Sequence, residues 1–238
     1  MPIRLATHQD EPAIAALCAA AFFEESLFGQ TIHPYRHQYP GDVEIFWHDW
    51  MRNDFKERRN MIIVATTTED GKEKIVGVAT WQRQGDDEGA NEVTEKWSDP
   101  GADAFPPLSS MHNRAMDPSK QTLLQDSASY CKHHWTATTN GLPRSQNWYI
   151  HLCAVHPSYH KRGFGQQLVK WGIDRARREN VHASVLASEG NNDFYLRCGF
   201  DEVIGNCTEG EGNPLGVAKV KGGDILFMWA KERAVQEP

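Results

Sequence analysis

The chain is poor in cysteine, and none of it forms a CxxC pair. Cys18, Cys131, Cys153, Cys198 and Cys207 are an odd number without regular spacing, which argues against both a zinc ribbon and a disulfide framework. Cys131, His133 and His134 stand too close together for a tetrahedral site, so no metal is expected. Long apolar runs are missing too. Nothing approaches the ~18 residues of a membrane span, and Met1-Pro2-Ile3-Arg4 lacks the apolar core of a signal peptide. A cytoplasmic or nuclear, reducing location is therefore expected, with no membrane partner. Positive charge is also short. Lys and Arg total 25 against 32 Asp and Glu, a net charge of −7, and cluster only around Arg175–Arg178. Without a basic stripe, nucleic acid is not an expected partner.

What is present is an ordinary globular composition, 39% hydrophobic and 24% charged over 238 residues. That is enough for one sizeable core. A short strand at 3–6 precedes an amphipathic helix carrying Ile14, Leu17, Cys18, Ala21 and Phe22 at helical spacing. Residues 26–40, with Gly29, Pro34 and Pro40, read as a loop, and 42–57 as a second helix. MIIVATT (61–67) and KIVGVATWQR (74–83) read as a hairpin turning at Glu69-Asp70-Gly71. About sixty irregular residues follow, 84–147, with one expected helix near 119–136. WYIHLCAV (148–155) is a strand, then come a helix from 165, a strand at 181–188, a short helix at 193–198 and strands at 200–204 and 224–229. That order implies an α+β domain with a mixed, mostly antiparallel central sheet, one parallel crossover and flanking helices. We expect a single domain over 1–238, with an insertion at about 85–147 between the third and fourth strands. Inserts of that length in compact domains are often lids or binding loops.

The informative stretch is YIHLCAVHPSYHKRGFG (149–165). A strand runs into Gly163-Phe164-Gly165, which opens a helix. First-turn N–H groups without intrahelical partners, together with the helix dipole, make an anion site suited to a pyrophosphate. Lys161 and Arg162 add charge beside it. The P-loop pattern GxxxxGK[ST] is absent, and so is the third glycine of the dinucleotide fingerprint.

The turn resembles the [QR]xxGx[GA] motif of the GNAT (GCN5-related N-acetyltransferase) superfamily, with His160 in place of the first Gln or Arg. Tyr195-Leu196-Arg197-Cys198-Gly199-Phe200 and the opening Ile3-Arg4-x-Ala6-Thr7-x-x-Asp10 resemble the family in the same way. The layout with its long insert looks most like fungal members acting on small molecules. The resemblance implies acetyl-CoA as co-substrate. It implies that the backbone of Leu152, Cys153, Ala154 and Val155 pairs with the pantetheine arm, exposed by a bulge or splay. It places the pyrophosphate on Lys161, Arg162, Gly163, Phe164, Gly165 and Gln166, and gives Tyr195 the role of protonating the departing thiolate. A family asparagine that touches the cofactor is replaced by Ser188, with Asn191 and Asn192 nearby as substitutes.

An amine acceptor also needs a base. His151 is the candidate, on a strand face expected to include Tyr149 and Cys153, while Glu24 and Glu25 close the first helix. Trp47, Trp50 and Trp81 are candidates for core or for an acceptor wall. Trp97, Phe105, Leu108 and Met111 of the insert are candidates for a lid. The expected activity is acyl transfer from acetyl-CoA to a primary amine of a small molecule. A protein lysine or N-terminus as acceptor, and a non-catalytic CoA-binding module, stay open as alternatives, as do monomer and homodimer.

Overall fold

The computed structural model describes residues 2–101, 103–108 and 112–232. In chain order the elements are β1 (Ile3–Leu5), α1 (Glu11–Ala21), a π-helical turn (Ser26–Ile32), α2 (Val43–Lys56), β2 (Asn60–Glu69) and β3 (Lys72–Gln84). The insertion holds α3 (Glu88–Glu95), α4 (Leu123–Cys131), α5 (His133–Thr136) and the small hairpin β4 (Thr138–Thr139) and β5 (Leu142–Pro143). Then follow β6 (Asn147–Val155), α6 (Phe164–Glu179), β7 (His182–Ser188), α7 (Asn192–Cys198), β8 (Glu202–Asn206), α8 (Pro214–Val217) and β9 (Gly222–Met228).

Seven strands form one sheet in the order β1-β2-β3-β6-β7-β9-β8. Only β6 and β7 run parallel; α6 is the crossover between them. The β2–β3 turn falls on Asp70 and Gly71, both at positive φ (50° and 75°), the backbone a two-residue hairpin needs to match strand twist. Each sheet face buries its own core. On one side lie Leu168, Val169, Ile173 and Ala176 of α6 with Trp81, Val185 and Leu226. On the other lie Ile14, Leu17 and Cys18 of α1 and Val43, Phe46, Trp47 and Met51 of α2 with Val78 and Phe227. Trp47 and Trp81 are therefore core residues.

Two readings of the sequence change. Residues 26–32, expected as loop, form the π-helical turn. Glu25 caps it, its Oε2 accepting from Leu27 N at 2.9 Å and Phe28 N at 2.8 Å. Among its described residues the insertion carries three short α-helices, a 3-10 turn at Pro118–Lys120 and a hairpin in place of the one expected helix. It runs the length of α2, from Arg52, which donates to Pro106 O at 2.6 Å, to Asp42, which accepts from Arg114 Nε at 2.7 Å. It then crosses to the far strands, where Trp135 donates to Ser184 Oγ at 3.0 Å and packs 5.7 Å from the Phe227 ring.

The α6 seam is a close contact between layers. Trp81 donates its Nε1–H to Leu168 O at 3.1 Å. A Cβ on Gly172 would lie 2.2 Å from the Trp81 indole. Gly172→Ala should thus overpack the core and lower stability by about 1–3 kcal/mol. A denaturant midpoint equal to wild type would mean that this seam is looser than described.

Candidate functional site

The site begins with two irregularities in β6. Its register against β3 slips where Thr80 pairs Leu152 and Trp81 pairs Ile150, leaving His151 as the extra residue of a bulge. Its pairing with β7 runs only from Asn147↔His182 to Ile150↔Val185. Beyond that point the strands part. The β7-facing edge of Leu152–Val155 is left without strand partners, the bulge and splay expected for a bound pantetheine arm.

The gap opens into a cleft of about 730 Å³ lined by Cys153, Ala154, Val155, Lys161, Gly163, Phe164, Gly165 and Gln166. Ser188, Asn191, Phe194 and Tyr195 form the opposite wall, with Phe22 and Glu25 closing one side. Lys161 and Gly163 take left-handed backbone, φ 60° and 82°. This folds the turn so that the chain enters α6 directly after Gly163, with its first amides at the cleft. His160 accounts for the departure from the motif: its Nε2 lies 2.8 Å from Val155 O and ties the turn to the strand end. Gly165 faces the Phe194 ring, which a Cβ there would approach to 3.2 Å.

Not every expected residue faces the cleft. Leu152 is buried in the α2-side core, so only its backbone is available. The Arg162 guanidinium lies 5.0 Å over the Tyr159 ring. Asn192 points away, donating to Asp224 Oδ2 at 2.7 Å. Glu24 is outside as well, paired with Arg36 at 2.7 Å. Glu25 does face the cleft. Burial raises its pKa, opposed by hydrogen bonds from Phe28 N, Leu27 N and the Ser188 side chain.

Tyr195 and Cys153 sit together on the α6 side. Burial drives the Tyr195 phenol well above its ordinary value, helped by the neighbouring Cys153, Cys198 and Tyr149. Burial likewise pushes the Cys153 thiol up to about 12. Both groups keep their protons at neutral pH. A phenol in that state is able to donate a proton, whereas a protonated, buried thiol is inert as a nucleophile.

His151 lies on the opposite face, and the expectation that Cys153 shares its side fails. The bulge shifts the alternation, so Tyr149 and His151 face α2 while Cys153 faces α6. The His151 ring stacks on Trp50 at 5.1 Å and lies 6.2 Å from Tyr149. Its Nδ1 is 3.1 Å from Asp54 Oδ1, off the axis of a straight hydrogen bond. Burial acts to lower the His151 pKa, but the Asp54 carboxylate, with Glu57 behind it, outweighs this and the net shift is upward. Asp54 went unnoticed in the sequence. The available signal was its spacing from Trp50, i to i+4 on α2, which puts both on one helix face.

The expected lid residues lie elsewhere. Trp97 donates to Phe55 O at 3.3 Å, and Phe105 packs 5.8 Å from the Phe55 ring. Trp97 lines a hollow of about 1030 Å³ at the other end of β6, near Trp148, Arg58 and Arg178, and Phe105 packs on His8 and Phe55, which line it too. This hollow is the larger of the two but touches neither the glycine turn nor Tyr195. Leu108 does not line the donor cleft either, and Met111 lies outside the described residues. The insertion reaches the His151 side through Trp135 instead, 6.2 Å from Tyr149. No cluster of three His, Cys, Asp or Glu able to hold a metal is found among the described residues.

A model described as the acetyltransferase (GNAT) family matches residues 121–200. A curated protein from Stachybotrys chartarum, called an acetyltransferase, is 24% identical over 209 residues, 85% of this chain and 81% of that one. A Corynebacterium glutamicum structure, described as histone acetyltransferase HPA2 and related acetyltransferase, superposes with TM-score 0.55 at 18% identity, over 99% of this chain and 98% of the other. A Brucella melitensis GNAT acetyltransferase in complex with acetyl-CoA gives TM-score 0.40 at 16% identity over 84% and 82% of the two chains. The acetyltransferase match over residues 121–200, which include β6, the glycine turn, α6 and Tyr195, and the acetyltransferase relative support an acyl-CoA-dependent transferase. Residues 121–200 thus match the GNAT acetyltransferase family, and the chain as a whole is similar to a fungal acetyltransferase and shares the fold of the Corynebacterium structure.

The turn makes a test that separates anion binding from folding. Gln166 is exposed, lines the cleft and lies in the first turn of α6. Gln166→Glu puts a negative charge beside the pyrophosphate position, costing ~1 kcal/mol, or about fivefold in CoA affinity. The helix itself favours an acidic residue there, so the melting temperature should not fall. Unchanged CoA affinity by calorimetry would remove the pyrophosphate from this turn.

Proposed function

We propose that the protein transfers an acetyl, or another short acyl, group from acetyl-CoA directly to a primary amine of a small molecule. One observation carries this reading. A candidate acid and a candidate base lie on the two faces of the sheet at β6: Tyr195 lines the cleft from the α6-side core, and His151, the bulge residue where β6 leaves β7, stacks on Trp50 of α2. The thioester supplies an activated acyl carbon and a thiolate leaving group. Lys161 and the first amides of α6 bind the pyrophosphate, and the free edge of Leu152–Val155 orients the pantetheine arm. His151 takes the proton of the attacking amine, the N–C bond forms as the C–S bond breaks, and Tyr195 gives the sulfur a proton. Each proton moves on its own side of the sheet, so neither group must serve twice.

The preference for a small acceptor rests on what surrounds His151. Trp50 meets Phe28 of the π-helical turn edge-on at 5.4 Å, and Trp135 of the insertion meets Tyr149 edge-on at 6.2 Å. These rings wall the α2 side with aromatic surface, which suits a compact amine better than an extended chain. The five cysteines are free thiols, which fits a reducing compartment such as the cytoplasm.

The test is thiol release from acetyl-CoA across a panel of small amines and lysine-containing peptides. Small amines should turn over well above peptides; the reverse order would give the protein-acceptor reading the stronger claim. No release with either kind of acceptor, while CoA still binds, would point to a non-catalytic CoA module. With a working acceptor, Tyr195→Phe should keep CoA affinity and lower kcat on the order of tenfold to a thousandfold. Because the phenol is shifted upward, its alkaline limb should lie above about pH 10, the ordinary phenol value. Full turnover in the variant would reduce Tyr195 to packing.

A further inference from the structure

The bulge in β6 brings three side chains from three elements together. Asp54 reaches across from α2 and divides its carboxylate between the two strands that slip at this point. Its Oδ2 accepts from Thr80 Oγ1 of β3 at 2.8 Å, and its Oδ1 lies 3.1 Å from His151 Nδ1 of β6. Asp54 is only 4% exposed and Thr80 is fully buried. One carboxylate oxygen is thus hydrogen-bonded to Thr80, and the other faces the His151 ring.

We propose that Asp54 is a positioning residue for the acyl transfer, holding the proton of neutral His151 on Nδ1 and leaving Nε2 as the basic atom. The inference rests on the reading of His151 as the base. Two constraints fix the ring. Stacking on Trp50, with an interplanar angle of 26°, sets its plane, and the carboxylate selects which nitrogen faces α2. Nε2 makes no hydrogen bond to the described residues, and the side chain is 29% exposed, so this nitrogen is left for the acceptor. In free imidazole the two tautomers compete; a carboxylate at one nitrogen decides between them. Thr80 keeps the carboxylate from rotating away. The bulge is what makes the arrangement possible, because a regular β6 would turn one of its neighbouring residues toward α2 instead.

The charged and titratable groups facing His151 are Asp54 from α2, Glu57 just past its end and Tyr149 from its own strand. The two carboxylates both favour the imidazolium, so removing one lowers the pH at which His151 loses its proton. Asp54→Asn retains an acceptor for Thr80 but offers an N–H to Nδ1, which puts the ring proton on Nε2.

The experiment compares Asp54→Asn, His151→Gln and the double variant with the working acceptor. Asp54→Asn should lower kcat roughly tenfold to a hundredfold, move the acid limb of kcat/KM to lower pH and leave CoA affinity and acceptor KM near wild type. The double variant should be no slower than His151→Gln alone. If His151→Gln is slow but Asp54→Asn keeps its turnover and acid limb, the positioning role is overturned while the base reading stands. If His151→Gln retains full turnover, the base reading falls and the positioning role falls with it. Nitrogen-15 NMR of the histidines in the unmutated protein does not depend on variants folding. It should show His151 protonated on Nδ1 when neutral; protonation on Nε2 would overturn the proposal.

Discussion

The parting of β6 from β7 beyond Ile150 and Val185 is the constraint on which the rest of the site depends. Up to that point the two strands share a regular parallel ladder. After it β6 stays with β3 and β7 stays with β9, whose own register slips between Ala187 and Ser188. Backbone groups left open in this way are costly to bury without partners. They are tolerable at the wall of a cleft that a polar, extended ligand arm is able to fill. The glycine turn gains its meaning from the same event, because the strand end at Val155 delivers the chain to the α6 N-terminus at the mouth of the gap.

The bulge does the complementary work on the other side. One extra residue in β6 lets Cys153 and Tyr195 share the α6-side core while His151 faces α2. The sheet thereby separates the Tyr195 phenol, which stays protonated, from the His151 imidazole, which sits against a carboxylate. The insertion adds Trp135 beside Tyr149 on the His151 face and contacts the α2 region at Asp42 and Arg52.

Much of this was legible because its signals are local. The hairpin at Asp70-Gly71, the Gly163-Phe164-Gly165 turn and the Tyr195 to Phe200 stretch each depend on residues within a few positions of one another, and all fall where the sequence puts them. The bulge was not legible. Strict alternation through Trp148–Val155 reads the same with or without an extra residue, and only pairing with Thr80 and Trp81 reveals the slip. Asp54 was missed for the same reason: its partners come from two distant strands. The π-helical turn is held partly from afar, with Ser26 Oγ accepting from Lys221 N at 2.9 Å. In the insertion, α3 carries a readable start, Asp87 accepting from Ala90 N at 3.3 Å, but few apolar residues to mark its face.

The account stands or falls on where acetyl-CoA lies. Amide hydrogen exchange with and without CoA reads this directly, since each backbone N–H reports its own protection. The expected result is slowed exchange at two separate stretches, the open edge of 152–155 and the first turn of α6 at 163–167, with the α3 and Trp97 region unchanged. Protection confined to the hollow around Trp97, Arg58 and Arg178, with the glycine turn unaffected, would contradict it.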